Sequence, residues 1–142
     1  MGPTTQAPEK PQEIFVQEIA LFLSVHLGRA PGLLWPEHEP SAPYDAESTL
    51  PAALAHHLGR DVSVLTSPTG APHRPHAAPT AQDVLAYQLD GADTWHITPP
   101  AGNPLTLRLR TGEMLYAPAG SHVTTQPLPG SRTLVLALGP AL

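Results

Sequence analysis

Cysteine is absent from this sequence of 142 residues, which excludes disulfide bonds and metal sites built on thiolates. Basic residues are also scarce, since lysine and arginine together number 7 against 12 aspartates and glutamates, and the formal net charge is −5. Without a basic stripe, the chain lacks the electrostatic footprint of a protein that binds nucleic acid. We therefore expect no nucleic-acid partner.

Long apolar runs are missing too. The longest apolar region, residues 14–27, is interrupted by Gln17, Glu18, Ser24 and His26, so it is too short and too polar to cross a bilayer. The N-terminal residues, MGPTTQAPEKPQ, lack the apolar stretch that is typical of a signal peptide. We therefore expect a cytoplasmic protein with no membrane partner.

Common catalytic signatures are equally absent. The sequence contains no G-x-S-x-G elbow, no phosphate-binding glycine loop, no H-E-x-x-H helix and no cysteine nucleophile. No residue is therefore assigned a catalytic role from its motif, and the sequence leaves open whether the protein is an enzyme.

The composition that is present indicates a folded domain with many turns. Hydrophobic residues make up 41% of the chain, which is enough to form a core, and charged residues make up only 13%. The 19 prolines and 11 glycines indicate short elements, which argues against a helix bundle. We expect a disordered stretch at residues 1–10 and a single domain at residues 11–142.

Residues 11–60 are predicted to be helical and irregular. Pro11 and Glu13 suit the first turn of a helix that continues to about Leu27 and has Gly28 as its cap. Apolar residues cover most of the surface of this helix. We therefore expect it to be a core helix buried on two sides, or a helix in a homodimer interface.

A second helix is expected at residues 48–59, with Ser48 or Thr49 as its cap. Two histidines in its last turn suit the negative end of the helix dipole. The segment before this helix contains four prolines and is predicted to be irregular, with Trp35 and Tyr44 holding it against the rest of the domain.

Strand signals dominate residues 61–142. Seven short stretches have strand character, namely residues 61–65, 83–89, 94–98, 105–110, 113–117, 123–126 and 133–138. Asp90-Gly91 predicts a tight turn between two of them. Short strands at this spacing predict a mainly β fold, a sandwich or barrel, that follows the helical segments.

Three side chains in this region are candidate ligand-binding residues. In LTLRLR, residues 105–110, the leucines are expected to point inward and Arg108 and Arg110 outward on one face, where the pair can grip a carboxylate. The alternative is a solvated strand face. Tyr116 is the third candidate, although we expect it to face the core with its hydroxyl bonded.

The residues GEMLYAPAGSH, 112–122, form the densest motif of the chain. A glycine, five residues, Pro-x-Gly and a histidine in this order resemble the second motif of cupins. The Leu-Tyr-x-Pro-x-Gly order is most similar to the JmjC-type cupins, the group that includes ribosomal-protein hydroxylases. Further residues resemble a strand and hairpin of the same family, and these are Asp83, Val84, Gln88, Gly91 and Trp95.

The resemblance extends over residues 72–138 and implies a small cupin-type double-stranded β-helix barrel. The usual activity of that family is hydroxylation that depends on Fe(II) and 2-oxoglutarate. Its iron is held by a His-x-Asp pair and a distal histidine, which leaves open positions for oxygen and the oxoacid.

The sequence departs from this pattern at the metal ligands. Ala78 and Thr80 occupy the positions expected for the histidine and the aspartate, and Asp93 stands where a lysine is expected. His122 comes one residue early after the Pro-x-Gly turn. Because a shift of one residue turns a strand side chain to the opposite face, Val123 is expected at the ligand position unless a β-bulge restores the register.

Three interpretations remain. In the first, the barrel has lost its iron and binds a ligand, a peptide or a partner chain. In the second, His73 or His76, or both, hold a divalent metal together with His122, and the candidates are iron, zinc, nickel and copper in an oxygenase, isomerase or cyclase. In the third, Glu113, Asp83 or a partner chain completes an oxygenase site. We prefer the first, with a small molecule or peptide as ligand, a homodimer as assembly and no assigned cofactor.

Overall fold

The computed structural model describes residues 11–40, 45–66 and 82–141. The elements within these residues are α1 (Pro11–His26), β1 (Gly32–Leu34), α2 (Ala46–Leu58), β2 (Arg60–Thr66), β3 (Asp83–Asp90), β4 (Ala92–Thr98), β5 (Leu105–Arg110), β6 (Met114–Ala117), β7 (His122–Pro127) and β8 (Arg132–Ala141). The predicted class, mainly β with helical segments at the N-terminus, is confirmed. The disorder predicted for residues 1–10 lies outside the described residues. None of the described helices is long and apolar enough to cross a membrane.

The strands form two antiparallel sheets that face each other. One sheet has the order β1-β6-β3-β8-β2, and the other has the order β5-β4-β7. In the first sheet β3 pairs with β6 and β8, and in the second β4 pairs with β5 and β7. This nested pairing is that of a double-sheet jelly roll, the architecture of cupins. The predicted cupin-type double-stranded β-helix is therefore the observed fold.

The three middle strands of the five-stranded sheet, β6, β3 and β8, are buried over most of their length, and β3 shows how its sequence allows this. Leu85 and Tyr87 point to the side covered by the helices, where they join a core that includes Phe15 of α1. Val84 and Ala86 point to the other sheet and join a second core. Successive strand residues face opposite sides, so a strand between two cores must be apolar over most of its length.

The turn predicted at Asp90-Gly91 is present, but it does not form a hairpin. β3 and β4 lie in different sheets because both edges of β3 are already paired, with β6 and with β8. Gly91 has a φ of 71° at the corner where the chain changes sheet. A Cβ atom at Gly91 would lie 3.0 Å from the Ser131 Cα, so a side chain there would be tightly crowded as well as strained by the positive φ.

The second helix begins earlier than predicted. Asp45, and not Ser48 or Thr49, caps α2, because its carboxylate accepts a hydrogen bond from the Ser48 backbone N–H at 3.3 Å. Hydrogen bonds with Ser48 lower the pKa of Asp45 below its ordinary value of 3.8. Because α2 begins at Ala46, Pro51 lies inside the helix and not in its first turn.

The segment between the helices is held in a different way from the one predicted. It contains a short strand, β1, which pairs with β6. The Trp35 side chain is 68% exposed and does not hold the segment in place, and Tyr44 lies outside the described residues. Instead, the Glu18 carboxylate of α1 accepts hydrogen bonds from the backbone N–H groups of Glu37 at 2.7 Å and His38 at 3.0 Å.

Candidate functional site

The Pro-x-Gly turn leads into β7 at the edge of the smaller sheet. Gly120 has a φ of 89°, and the Ser121 hydroxyl donates to the Pro118 carbonyl at 2.7 Å, which closes the turn. β7 begins immediately afterwards, with Val123 opposite Ile97. The Val123 side chain is 1% exposed and lies in the core between the sheets, whereas His122 is exposed on the outer face. The inward position at the start of β7 is therefore apolar.

The other predicted metal ligands, His73 and His76, lie outside the described residues, as do Ala78 and Thr80. Among the described residues, no three histidine or acidic side chains come close enough to hold a metal ion. His122 is separated from the interior by the alternation of the strand. The structure thus places one of the three predicted ligands, and it places that one on the surface.

Tyr116 lies on the helix-facing side of β6, and its hydroxyl is fully engaged. The hydroxyl donates to Asp83 Oδ1 at 2.6 Å and accepts from the Gly28 backbone N–H at 2.8 Å. Burial, reinforced by the hydrogen bond to Asp83, raises the pKa of Tyr116 well above its ordinary value. The phenol therefore stays protonated and connects the end of α1 to β3.

Both carboxylate oxygens of Asp83 have hydrogen-bond partners among the described residues. Its Oδ1 also accepts from the Ala119 backbone N–H at 2.9 Å, and its Oδ2 forms an ion pair with Arg60 at 3.1 Å. Arg60 is held in turn by the Gly139 carbonyl at 2.7 Å. Asp83 shares the helix-facing side of the sheet with Tyr116, so it does not point between the sheets.

Glu113 is likewise committed to local structure. Its Oε1 accepts a hydrogen bond from the Arg110 backbone N–H at 2.7 Å, within the turn that joins β5 to β6. The two carboxylates considered for completing an oxygenase site, Glu113 and Asp83, therefore both serve the fold.

Arg108 and Arg110 lie on the outer face of β5, as their alternation with leucines predicts. Their side chains are exposed, and their partners across the strand pair are Thr94 and Ala92. Tyr116 lies in the other sheet and faces the helices. The structure therefore does not bring the three predicted ligand-binding residues into one site.

A cluster of buried polar side chains, which sequence reasoning missed, lies between the sheets. Its members are Gln88, Asp93, Thr125 and Thr133. The Thr133 hydroxyl lies 2.7 Å from Asp93 Oδ2 and 2.9 Å from Gln88 Oε1, and Gln88 Nε2 donates to the Asp90 carbonyl at 2.8 Å. The Thr133 hydroxyl has one proton and lies beside two acceptor oxygens, so it can donate to only one of them at a time.

Two atoms of this cluster have no hydrogen-bond partner within the described ranges, Asp93 Oδ1 and Thr125 Oγ1. Thr125 lies directly opposite Trp95, so Asp93 and Thr125 are diagonal neighbours on the inner face of the β4–β7 pair. Strand alternation carries the signal that was missed. The alternation of β4 that turns Trp95 and Ile97 inward also turns Asp93 inward beside them.

No protein-family model matches the sequence, and no curated protein matches it. Partial similarity exists to solved structures. Streptomyces albus HEPD, bound to 2-hydroxyethylphosphonate and Fe(II), is similar over 56% of this chain and 17% of its own, with 20% identity and a TM-score of 0.41. An oxalate decarboxylase is similar over 61% of this chain and 24% of its own, with 16% identity and a TM-score of 0.44.

A third similar structure is the TDP-quinovose 3,4-ketoisomerase WlaRB from Campylobacter jejuni, over 57% of this chain and 61% of its own, with 13% identity and a TM-score of 0.40. The chain thus spans less than two thirds of the length of each of these proteins. At such identities and TM-scores the similarities carry no argument about function, and the JmjC-like subtype stays a prediction.

Proposed function

We propose that this chain is a cupin-fold binding protein that accepts a small molecule or a peptide group between its two sheets. The observation that supports the proposal is the register of β7, which turns Val123 inward and His122 outward. An apolar side chain at the inward position offers no atom to a metal. The described residues therefore do not fit the iron site of the resembled family, and no step of an oxygenase reaction is assigned to them.

Asp93 suggests the chemical class of the ligand. Its carboxylate is 1% exposed, and its Oδ1 and Thr125 Oγ1 lack partners in the described part of the chain. A buried polar atom without a partner costs about 1–3 kcal/mol, and a group that donates hydrogen bonds removes this cost. A buried carboxylate also repels the carboxylates of 2-oxoglutarate. The favoured ligand is therefore a primary amine or an amide and not an oxoacid.

Thermal unfolding of the full chain with added ligands tests this proposal. The probes are a panel of primary amines and amides, with 2-oxoglutarate plus Fe(II) as the comparison. We expect donor-bearing compounds to raise Tm, because a ligand that binds the native state alone stabilises it. Asp93→Asn should remove the response, since the amide replaces one acceptor oxygen by a donor. Asp90→Asn, in an exposed ion pair with Arg132, is the matched control that should keep it.

The proposal fails if 2-oxoglutarate with Fe(II) raises Tm and no amine or amide does. It also fails if Asp93→Asn responds to the donor-bearing probes in the same way as the unmodified chain. The shift is measured against the Tm of each variant without ligand, so that a change in intrinsic stability does not imitate a change in binding.

A metal-dependent cupin enzyme is the second candidate. His122 is exposed at the start of β7 and makes no hydrogen bond within the described residues, so its ring nitrogens can bind a metal. His73 and His76, which lie outside the described residues, are the further ligands that this candidate requires. Metal analysis of protein loaded separately with iron, zinc, nickel and copper distinguishes the candidates. Stoichiometric metal that is lost in His76→Ala and His122→Ala, and kept in the surface control His56→Ala, would replace the binding proposal by this one.

A further inference from the structure

The buried carboxylate of Asp93 has no positively charged partner among the described residues. Asp93 is 1% exposed, and none of the ion pairs in the described ranges includes it. Arg132, at the start of β8, is exposed and pairs with Asp90 at 2.9 Å. Arg108 and Arg110 lie on the outer face of β5. Because a buried charge without a counter-charge is costly, a ligand that supplies a positive charge is favoured at Asp93.

Two pairs of polar side chains, one from each sheet, meet around this carboxylate. Gln88 and Thr133 lie directly opposite each other on β3 and β8, and Asp93 and Thr125 are diagonal neighbours on β4 and β7. The Thr133 hydroxyl, 2.7 Å from Asp93 Oδ2, connects the two pairs. The Gln88 amide has a fixed orientation, because its Nε2 donates to the Asp90 carbonyl and its Oε1 therefore faces Thr133. The cluster thus presents oxygen atoms from both sheets.

Three acceptor oxygens of the cluster lack a donor at any moment. Asp93 Oδ1 and Thr125 Oγ1 have no hydrogen-bond partner in the described part of the chain. The third is whichever of Asp93 Oδ2 and Gln88 Oε1 the single proton of Thr133 leaves unbonded. A primary ammonium group carries three N–H donors and one positive charge. It therefore matches the cluster both in donors and in charge.

We propose that this cluster binds a primary ammonium group of the ligand, with N–H donors directed at Asp93 Oδ1, at Thr125 Oγ1 and at the acceptor that Thr133 leaves unbonded. The inference rests on the proposed binding function and narrows its ligand from an amine or amide to a cation. A hydrogen bond between an ammonium and a carboxylate is charge-assisted and stronger than one from a neutral amide. The carboxylate provides affinity, and the two sheets fix the position of the nitrogen.

Other occupants match the cluster less well. A water molecule or a neutral amide supplies hydrogen bonds but leaves the charge of Asp93 unbalanced. A divalent metal ion brings two charges to a single carboxylate, and nowhere in the described ranges do three histidine or acidic side chains gather as its ligands. The single positive charge and the directed donors of an ammonium group suit this cluster best.

The cluster lies near the end of the sandwich where the chain changes sheet. Asp93 follows the exposed corner residue Gly91 by two positions, and Thr133 follows Ser131 by two. Ser131 belongs to the turn between β7 and β8 and lies against Gly91. A compact ligand therefore reaches the cluster between these two corners, and its remaining atoms extend from there toward solvent.

Thermal unfolding of the full chain with small probes of different charge and donor number tests the inference. The probes are methylammonium chloride, acetamide, tetramethylammonium chloride and potassium chloride at equal concentrations. We expect methylammonium to raise Tm by about 2–5 °C at a concentration about tenfold above its dissociation constant. Acetamide should bind at least about tenfold more weakly, because it has no charge. Tetramethylammonium has no N–H donor and potassium has no directed donor, so neither should reproduce the shift.

The outcomes separate this inference from the proposed function. If acetamide binds as tightly as methylammonium, the ligand is not selected by charge, and the inference fails while the binding function stands. If neither compound raises Tm, both fail. An equal response to tetramethylammonium or to potassium would overturn the inference as well, because charge alone would then explain the shift.

The Thr125 hydroxyl provides a second test at the level of a single acceptor. Thr125→Val keeps the shape of the side chain and removes a buried polar atom without a partner, so the variant should fold. We expect the dissociation constant for methylammonium, measured by calorimetric titration, to rise about fivefold to tenfold. Thr124→Val, the same change on the exposed face of β7, is the matched control that should keep the original affinity. Equal affinity in the Thr125 and Thr124 variants would contradict the proposed geometry.

Discussion

Tyr116 joins three elements through one hydroxyl, which donates to Asp83 on β3 and accepts from Gly28 after α1. Tyr116→Phe removes both bonds and leaves the Gly28 N–H without its partner. We expect a loss of about 1–3 kcal/mol in the free energy of unfolding. Chemical denaturation followed by circular dichroism measures it.

Tyr87→Phe is the matched control for this prediction. Tyr87 lies on the same face of the sheet, and its hydroxyl donates to the carboxylate of Glu39, an exposed residue. Because water can replace that bond, the Tyr87 variant should lose less stability than the Tyr116 variant. Equal losses would show that the hydroxyl network at Asp83 contributes nothing beyond an ordinary surface hydrogen bond.

For single residues, the sequence correctly predicted which face of a strand a side chain occupies, but it did not predict the hydrogen-bond partner of that side chain. The alternation in LTLRLR correctly placed Arg108 and Arg110 outward, and Tyr116 was correctly expected to face a core with its hydroxyl bonded. Its partner, Asp83, was instead considered as a metal ligand. The two residues are 33 positions apart, and a pairing between β3 and β6 brings them together.

The alternation of β7 determines which of two adjacent side chains enters the interior. Exchanging the pair, with His122→Val and Val123→His in one chain, places an imidazole opposite Ile97 in an apolar layer. We expect this variant to lose about 1–3 kcal/mol in the free energy of unfolding, because a polar group is buried without a partner. Urea denaturation provides the measurement.

His122→Val alone is the control for the exchange. The side chain is exposed and makes no hydrogen bond with the described residues, so the change should stay within about 0.5 kcal/mol. A double variant as stable as this single one would contradict the register seen for β7. Loss of stability in the single variant would instead indicate that His122 has a structural partner.

For helices and strands, apolar periods and turn residues in the sequence predicted most elements. The start of α2 was predicted too late, because Asp45 is its N-cap. Asp45 caps α2 because it offers a carboxylate to the Ser48 N–H, which is a preference readable from sequence. Strand β1 escaped detection because three residues show no period. Its pairing with β6 gives it strand character.

At the scale of the whole molecule, the two hydrophobic cores lie on opposite faces of the five-stranded sheet. We therefore expect the described domain to unfold in a single transition. Phe15 belongs to the core under the helices and Leu109 to the core between the sheets, and both are 0% exposed. Phe15→Ala should lose about 3–5 kcal/mol and Leu109→Ala about 2–5 kcal/mol. Since β3 contributes to both cores, each variant should still unfold in one step.

Comparison of far-ultraviolet and near-ultraviolet circular dichroism during heating checks this prediction. Coincident transitions in both variants are expected for a cooperative unit. Val64→Ala, at a partly exposed position on β2, is the control that should change stability little. Separate transitions for the helices and the sheets in Phe15→Ala would show that the two cores unfold independently.

The sequence by itself determined the fold class, the apolar faces of the strands and the motif that resembles cupins, because these depend on periods and turns within short stretches. The tertiary structure alone decided which strands pair, that Asp90-Gly91 is a corner between sheets, and that Asp93 lies buried beside Thr125. Such contacts join residues distant in sequence, and their partners depend on how the two sheets stack. A local pattern gives the direction of a side chain but not the identity of the atoms that it meets.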